Sequence, residues 1–191
     1  MSYHFFAMLS RMKNIYRWGL MRNTKQESLS EHTLETAFVA HALALIHNNR
    51  FGGTVDADHI AVLALFHDTS EIITGDMPTP IKYYNPEIKK VYKEIEKVAE
   101  DKLLSMLPEY LKDDFEKIYA PQDDITRLII KSADKISAYI KCIEELKMGN
   151  LEFATAKQMT EKAIKELSFP AAEVFINDFI ESYSLSLDEQ H

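Results

Sequence analysis

Four residues of metal-binding types stand at separate places in the sequence. His67 and Asp68 are adjacent and follow the apolar run 60–66, while His32 precedes them and Asp134 comes much later. An ionised Asp at the end of a buried segment is costly unless a cation or a hydrogen-bond network compensates its charge. We therefore predict that the chain brings these four side chains to one metal ion.

The predicted site would combine two imidazole groups with two carboxylates and would contain no thiolate. Such ligands suit Mn²⁺, Co²⁺, Fe²⁺ or Mg²⁺ better than a structural zinc site. Four protein ligands on a six-coordinate ion leave room for a water molecule and for an oxygen atom of a substrate that the cation would polarise. The alternative is an all-α bundle in which the four residues only bond to one another, and it requires their coincidence by chance.

The elements that must position these residues are predicted to be helices. The chain has only 5 Gly and 6 Pro, which disfavours a β-sandwich with many tight turns, and apolar residues recur at steps of three and four. Ser28 or Ser30 can cap the helix that carries His32. An apolar stripe over residues 129–143 borders Asp134. The predicted helices cover residues 3–15, 30–48, 56–67, 86–106, 108–119, 123–148, 151–167 and 170–183.

Two short segments follow the His-Asp pair. Residues 69–74 are expected to form a further helical turn or two, and Gly75 is a natural C-terminal stop. Prolines at positions 78 and 80 predict a rigid, non-helical loop over residues 76–80. Rigid polar loops beside buried ligands are frequent binding elements, although a plain connector has the same composition.

Length and composition are typical of one globular domain spanning residues 1–191. Hydrophobic residues make up 46% of the chain and charged residues 27%. The formal net charge of -8 argues against a protein that grips a long nucleic acid, because such binding depends on many contacts between cations and phosphates. It does not exclude a small phosphorylated substrate.

The sequence also indicates where the protein works. Cys142 is the only cysteine, so no intrachain disulfide can form, and we expect this residue in the core of a protein in a reducing, cytoplasmic setting. The N-terminal apolar run is too short for a signal peptide, and no other run is long enough to span a bilayer. We therefore expect no association with a membrane.

The residues near the predicted metal site have two readings each when only residue types are considered. Glu71 lies three positions after Asp68, so on a helix the two side chains occupy neighbouring faces; Glu71 is then either a general acid or base, or a supporting or surface carboxylate. Arg17 can hold a phosphate with its forked guanidinium, but it can equally be solvated while Trp18 covers the core. Lys82 could add positive charge to the site, but we expect it on the solvated surface.

Six segments stand in a fixed order along the chain: Arg17-Trp18, Ser30-Glu31-His32, His67-Asp68-x-x-Glu71, Thr74-Gly75-Asp76-x-Pro78-Thr79-Pro80, Ala133-Asp134 and Ser186-Leu187-Asp188-Glu189. This series resembles that of the HD-domain superfamily of metal-dependent phosphohydrolases, and more closely its bacterial 5′-deoxynucleotidase branch. The resemblance implies an all-α, single-domain HD bundle with the metal site between helices. It also implies a homodimer that uses one divalent cation, such as Co²⁺ or Mn²⁺, to hydrolyse deoxyribonucleoside 5′-monophosphates to deoxynucleoside and phosphate.

The resemblance also implies a role for individual residues. Glu71 would act as general base or acid near the attacking water, Arg17 would orient the phosphate, and Trp18 would contact the nucleoside. The segment 76–79 would border the sugar, where a close-fitting wall beside the 2′ carbon rejects a ribose hydroxyl. The metal ligands are His32, His67, Asp68 and Asp134, and the substrate contacts are Arg17, Trp18, His32, Asp68, Asp76, Met77, Pro78, Thr79 and Asp134.

Two alternatives remain within the same superfamily. The protein could be an HD-type phosphodiesterase or an alarmone pyrophosphohydrolase, which act on diester or pyrophosphate bonds. It could also be a catalytically silent HD module that binds nucleotides or a protein partner. The intact ligand set and Glu71 count against the silent module.

Overall fold

The structure, a computed structural model, describes residues 2–82 and 84–190, except for the side chains of Thr79 and Pro80. Within these residues the regular structure is helical, and the only pairing of β type is an isolated bridge between Tyr16 and Ser28. The all-α prediction is confirmed. The α-helices are α1 Phe5–Leu9, α2 Leu29–Phe51, α3 Ala57–Phe66, α4 Glu71–Thr74, α5 Thr79–Lys82, α6 Pro86–Leu104, α7 Glu109–Tyr119, α8 Asp124–Lys147, α9 Ala154–Glu166 and α10 Pro170–Phe179.

Several helix boundaries differ from those that the sequence predicts. The first predicted helix is split, because α1 continues as a 3₁₀ turn over Ser10–Asn14. Helix α3 ends at Phe66, so His67 lies in a turn and not in the helix. The prediction that residues 76–80 contain no helix is wrong at its end, because α5 begins at Thr79. A proline is tolerated in a first helical turn, where its missing N–H would have no intrahelical partner.

The chain divides into two compact units, which are described separately. The first consists of Met1–Arg22, Gln26–Thr33 and Phe66–Pro121. Its hydrophobic core is formed by Phe5 and by leucines at the end of α6 and just after it, with Phe66 and Phe115 packed against them. T-shaped contacts join the Phe115 ring to the rings of Phe5 and Phe66, at centroid distances of 4.9 and 5.7 Å.

The second unit consists of Asn23–Lys25, Leu34–Leu65 and Gln122–His191. Its core is built on α8, whose predicted apolar stripe is buried, with Ile129, Ile136 and Ile140 fully inaccessible. Cys142 is also fully buried, as predicted. None of the described helices combines the length and apolar character needed to cross a membrane.

Helix α6 has a face that the first unit does not cover. The sequence predicts an apolar stripe on this helix, and Tyr92 and Leu103 are indeed buried. Val91, Ile95 and Val98, which follow one another at helical spacing, are 53%, 46% and 69% exposed. The apolar pattern of α6 therefore includes a surface row as well as a core row.

Candidate active site

A capping box places His32 at the start of α2. The backbone N–H and the hydroxyl of Ser28 donate to Glu31 Oε2 at 2.8 and 2.7 Å, and the N–H of Glu31 faces Ser28 Oγ at 3.3 Å. This reciprocal arrangement fixes the first helical residue at Leu29. His32 therefore lies in the first turns of the helix, where its side chain is fully buried.

His67 and Asp68 lie in the tight turn between α3 and α4. The N–H and hydroxyl of Thr69 both donate to the carbonyl of Phe66, at 3.2 and 2.9 Å, and so close the end of α3. The N–H of Glu71 donates to the Asp68 carbonyl at 3.0 Å. Helix α4 begins at Glu71 and is capped at its C-terminus by Gly75, whose φ of +75° is a backbone conformation that favours glycine, as predicted.

The side chains of His32, His67 and Asp68 converge. Asp68 Oδ2 lies 3.1 Å from His67 Nε2 and 3.6 Å from His32 Nε2, and one ligand atom from each residue lies within 4.8 Å of the others. Both imidazoles thus direct the same nitrogen toward one carboxylate oxygen. Two neutral imidazole nitrogens and a carboxylate oxygen at this spacing are suitable ligands for one cation.

Asp134, the fourth predicted ligand, lies in the second unit on α8. It follows the buried Ala133, keeps 23% of its side chain exposed and pairs with Lys135 at 3.1 Å between Oδ2 and Nζ. An acidic residue beside a buried stripe agrees with the sequence expectation for this position. Its place in the ligand set remains a prediction.

Arg17 approaches the same carboxylate. Its Nη1 donates to Asp68 Oδ2 at 3.4 Å, and only 14% of its side chain is exposed, so this residue is not the solvated arginine that its loop composition allowed. Burial opposes ionisation of Asp68, but His67, His32 and Arg17 outweigh it and hold the pKa of this carboxyl well below its usual range. Asp68 is therefore an anion over the physiological pH range.

Glu71 is buried on α4, with 3% of its surface exposed, so it is not a surface carboxylate. Burial and the negative charge of Asp68 raise its pKa to about 8, although Lys82 opposes the shift. Among the described protein groups, none forms a hydrogen bond with Glu71 Oε2. A buried carboxyl oxygen of this kind can accept a hydrogen bond from a water molecule or substrate.

Lys82 is not a solvated surface residue, so the prediction for it is wrong. Its Nζ lies 2.9 Å from Glu96 Oε1, 3.6 Å from Glu71 Oε1 and 4.7 Å from the centroid of the Tyr92 ring. These partners outweigh partial burial and raise the pKa of Lys82. These contacts cannot be predicted from the sequence, because the position of Lys82 depends on α5 and the prolines at positions 78 and 80 predict a loop there.

Trp18 lies next to Glu27, behind this cluster. Glu27 is a residue that the sequence alone does not single out. The indole N–H of Trp18 donates to Glu27 Oε2 at 2.8 Å. Burial opposes ionisation of Glu27, but His32, Arg17 and Trp18 outweigh it and lower the pKa of this carboxyl. The only sequence signal for Glu27 is its position directly before the Ser28 capping box.

The segment that is predicted to border the sugar is half-buried at Asp76, Met77 and Pro78. The Pro78 carbonyl accepts the N–H groups of Ile81 and Lys82 at 2.8 and 3.1 Å and so starts α5. Burial raises the pKa of Asp76, and Asp68 adds to the effect while Arg17 opposes it. The side chain of Thr79, the last residue in this prediction, lies outside the described part of the chain.

Comparisons with known proteins show which family this chain resembles. Residues 4–183 match a family model described as 5′-deoxynucleotidase YfbR-like. A 5′-deoxynucleotidase from Vibrio vulnificus is 55% identical over 188 residues, with 97% of each chain covered. A 5′-deoxynucleotidase from Photorhabdus laumondii is 53% identical over 188 residues, covering 97% of this chain and 95% of the relative.

Solved structures show the same fold at lower sequence identity. An HD-domain phosphohydrolase from Listeria innocua has a TM-score of 0.82 at 21% identity, with 98% of this chain and 91% of that chain covered. The HD phosphohydrolase DatZ of cyanophage S-2L, solved with dA and one catalytic Zn²⁺, has a TM-score of 0.67 at 18% identity, with 92% and 96% covered. The fold is therefore that of the HD-domain phosphohydrolases.

Proposed function

The chain belongs to the YfbR-like 5′-deoxynucleotidase family, and from this membership we propose that it hydrolyses deoxyribonucleoside 5′-monophosphates to deoxynucleosides and phosphate. The observation that carries the proposal is the convergence of His32, His67 and Asp68 beside a buried carboxyl group, Glu71, in a member of that family. Such a constellation provides metal ligands and a proton-transfer group in one place.

A divalent cation fits these residues. The ligand atoms are imidazole nitrogens and carboxylate oxygens, and Asp68 is kept ionised as a ligand must be. Asp134 is the fourth ligand in this proposal, as the family motif implies. A bound divalent cation supplies positive charge that polarises the phosphate ester and eases deprotonation of the attacking water. Nitrogen and oxygen ligands without thiolate favour Co²⁺ or Mn²⁺.

The protein side chains orient the phosphate and move the proton. Arg17 presents a forked guanidinium at the edge of the ligand cluster, which suits two phosphate oxygens. Glu71 has a pKa of about 8, so it can accept and return a proton near neutral pH. It therefore serves as general base toward the water or as general acid toward the leaving 5′ oxygen. Lys82 holds positive charge beside it.

The nucleoside binds next to the cluster in this proposal. Trp18 contacts the nucleoside, and the segment 76–79, which is half-buried at Asp76, Met77 and Pro78, borders the sugar. Substrate contacts come in addition from His32, Asp68 and Asp134, as the motif implies. The close wall at residues 76–79 disfavours a 2′ hydroxyl and so gives the preference for deoxyribose.

The working form of the enzyme is a cytoplasmic homodimer in this proposal. The resemblance carries the dimer, and exposed apolar side chains on α2 and α6 support it, since such rows often mark contacts between subunits. Phe38 on α2 is 68% exposed and Val98 on α6 is 69% exposed. Light scattering on Phe38→Asp and Val98→Asp variants would reveal whether either helix forms the contact.

The experiment that tests the function is an assay of phosphate release from dAMP, dTMP and AMP. The protein is stripped of metal, and Co²⁺, Mn²⁺, Mg²⁺ or Zn²⁺ is added back. We expect metal-dependent release from both deoxynucleotides and much slower release from AMP. Equal release from dAMP and AMP would contradict the selectivity, and no release from any of the three would contradict the function.

Two of the alternatives act on other bonds and the third is catalytically silent, so a second panel of substrates separates them. An HD phosphodiesterase would cleave cyclic dinucleotides, and an alarmone hydrolase would cleave guanosine tetraphosphate. A silent module would bind nucleotide without releasing phosphate in any metal. Family membership favours hydrolysis of deoxyribonucleoside 5′-monophosphates over all three alternative functions.

A further inference from the structure

Glu27 contacts three residues that the proposed site uses. Its Oε2 accepts the indole N–H of Trp18 at 2.8 Å and lies 3.6 Å from Arg17 Nε. Its Oε1 lies 3.7 Å from His32 Nδ1. The exposed fraction of Glu27 is 9%, so these contacts are shielded from solvent. One buried carboxylate thus lies next to the proposed metal ligand His32, the proposed phosphate-binding residue Arg17 and the proposed nucleoside-binding residue Trp18.

The geometry around His32 places Glu27 behind the ligand cluster. His32 directs Nε2 toward Asp68 Oδ2 and Nδ1 toward Glu27. Glu27 is absent from the group of described residues whose ligand atoms converge. A carboxylate on the far nitrogen of a ligating imidazole keeps the proton on that nitrogen and fixes the orientation of the ring. Glu27 therefore contacts the proposed ligand without belonging to the ligand set.

The backbone of the same segment depends on Glu27 as well. Trp18 has a φ of +59°, a left-handed conformation that is unfavourable for a bulky side chain and persists only where the surroundings hold it. The carbonyl of Glu27 accepts the Arg17 N–H at 2.9 Å, while its carboxylate accepts the indole N–H. Glu27 therefore holds the Arg17-Trp18 pair through both its main chain and its side chain.

We propose that Glu27 is a positioning residue for the reaction. Its carboxylate aligns the phosphate-binding residue Arg17 and the nucleoside-binding residue Trp18 with the imidazole of the metal ligand His32. It touches neither substrate nor metal, and it acts through the three residues that do. The proposal rests on the proposed function for its kinetic part only, because the metal affinity and the Trp18 environment can be measured without turnover.

The test compares Glu27→Gln and Glu27→Ala with Glu94→Gln, which removes an exposed carboxylate on α6. A glutamine has one oxygen and one NH₂ group, so it cannot accept from the indole and also present an oxygen to the imidazole, as the two carboxylate oxygens do. Each protein is stripped of metal and titrated with Co²⁺. Trp18 is the only tryptophan, so its fluorescence reports directly on this contact.

We expect both Glu27 variants to bind Co²⁺ about 10- to 100-fold more weakly than the wild type. The fluorescence emission of Trp18 should shift, and KM for dAMP should rise. Glu94→Gln should change none of these three quantities. Wild-type Co²⁺ affinity and Trp18 emission in Glu27→Gln, with a circular dichroism spectrum that shows a folded protein, would overturn the proposal. If the wild type releases no phosphate, the proposed function fails while the affinity and emission still decide the role of Glu27.

Discussion

Asp68 and Glu71 lie one short turn apart, joined by a 3.0 Å hydrogen bond from the Glu71 N–H to the Asp68 carbonyl, yet their carboxyl groups are driven to opposite protonation states. His67, His32 and Arg17 keep the pKa of Asp68 low against the effect of burial, whereas burial and the charge of Asp68 raise the pKa of Glu71 to about 8. Two carboxyl groups with diverging pKa values commonly divide the work of a site. Here Asp68 has the properties of a ligand and Glu71 those of a proton-transfer group.

Replacement of Asp68 by Asn should abolish metal binding. Asp68 Oδ2 lies within 3.6 Å of a nitrogen of both imidazoles, and an amide cannot supply the negative charge that a divalent cation requires. We expect no Co²⁺ binding by titration of Asp68→Asn and no phosphate release from dAMP. Asp113→Asn removes an exposed carboxylate and should leave both unchanged. Retained Co²⁺ affinity in Asp68→Asn would exclude this residue as a ligand.

Replacement of Glu71 by Gln should separate turnover from metal binding. Glutamine keeps the shape of the side chain, but it cannot accept or return a proton. We expect kcat for dAMP to fall by about 10²- to 10⁴-fold, the usual contribution of general acid–base catalysis, while Co²⁺ affinity stays near that of the wild type. A near-normal kcat would show that Glu71 does not transfer the proton.

Lys82 should set the pH at which Glu71 changes its charge. Its ammonium group lies 3.6 Å from Glu71 Oε1 and lowers the pKa of Glu71 against the larger effect of burial. Lys82→Met removes that charge, so the pKa of Glu71 rises. The limb of the pH profile of kcat/KM that is lost in Glu71→Gln should therefore move to higher pH in Lys82→Met. Lys93→Met, an exposed lysine on α6, should leave the profile in place, and an unmoved limb in Lys82→Met would contradict the coupling.

Trp18 should contribute to substrate binding more than to the chemical step. It lies beside Arg17 in a strained backbone conformation, and Glu27 accepts its indole N–H. Strained residues that their surroundings hold in place are frequent at ligand-binding sites. We expect Trp18→Ala to raise KM for dAMP several-fold with a smaller change in kcat, measured by phosphate release. Trp18→Phe keeps the ring face and should have a smaller effect on KM. An unchanged KM in Trp18→Ala would remove this residue from the substrate site.

The sequence singles out residues whose types are rare next to buried apolar segments. His67-Asp68 after an apolar run is informative because burial of such groups needs compensation. Asp134 beside an apolar stripe gives the same signal, and its place in the ligand set stays a prediction. Glu27 and Lys82 could not be predicted in this way, because a Glu or a Lys in a polar segment is ordinary. Their positions depend on a chain reversal bridged by Tyr16 and Ser28 and on a single-turn helix. Neither feature leaves a periodic pattern in the sequence.

The second unit contains a buried carboxylate with a structural role. Glu145, 2% exposed, accepts the backbone N–H groups of Thr24 and Lys25 at 2.8 and 3.2 Å and the side-chain amide of Asn150 at 2.7 Å. It also forms an ion pair with the buried Lys141, which donates to the Lys25 carbonyl as well. Burial opposes ionisation of Glu145, but these donors outweigh it and lower its pKa to about 2.

This network should make the stability of the protein sensitive to acid. Because the pKa of Glu145 is lower in the folded state than the ordinary 4.5, its contribution, about 3 kcal/mol by linkage, is present above pH 4.5 and is lost as the pH falls toward 2. Glu145→Gln leaves Lys141 buried without its counter-charge, so we expect the free energy of unfolding at pH 7 to fall by about 3–5 kcal/mol.

Urea denaturation of the metal-free protein between pH 7 and pH 3 should show that the free energy of unfolding falls more steeply for the wild type than for Glu145→Gln. Glu144→Gln, next to it on α8 but exposed, should stay within about 0.5 kcal/mol of the wild type. Parallel pH curves for the wild type and Glu145→Gln would show that the carboxylate is not the acid-sensitive group.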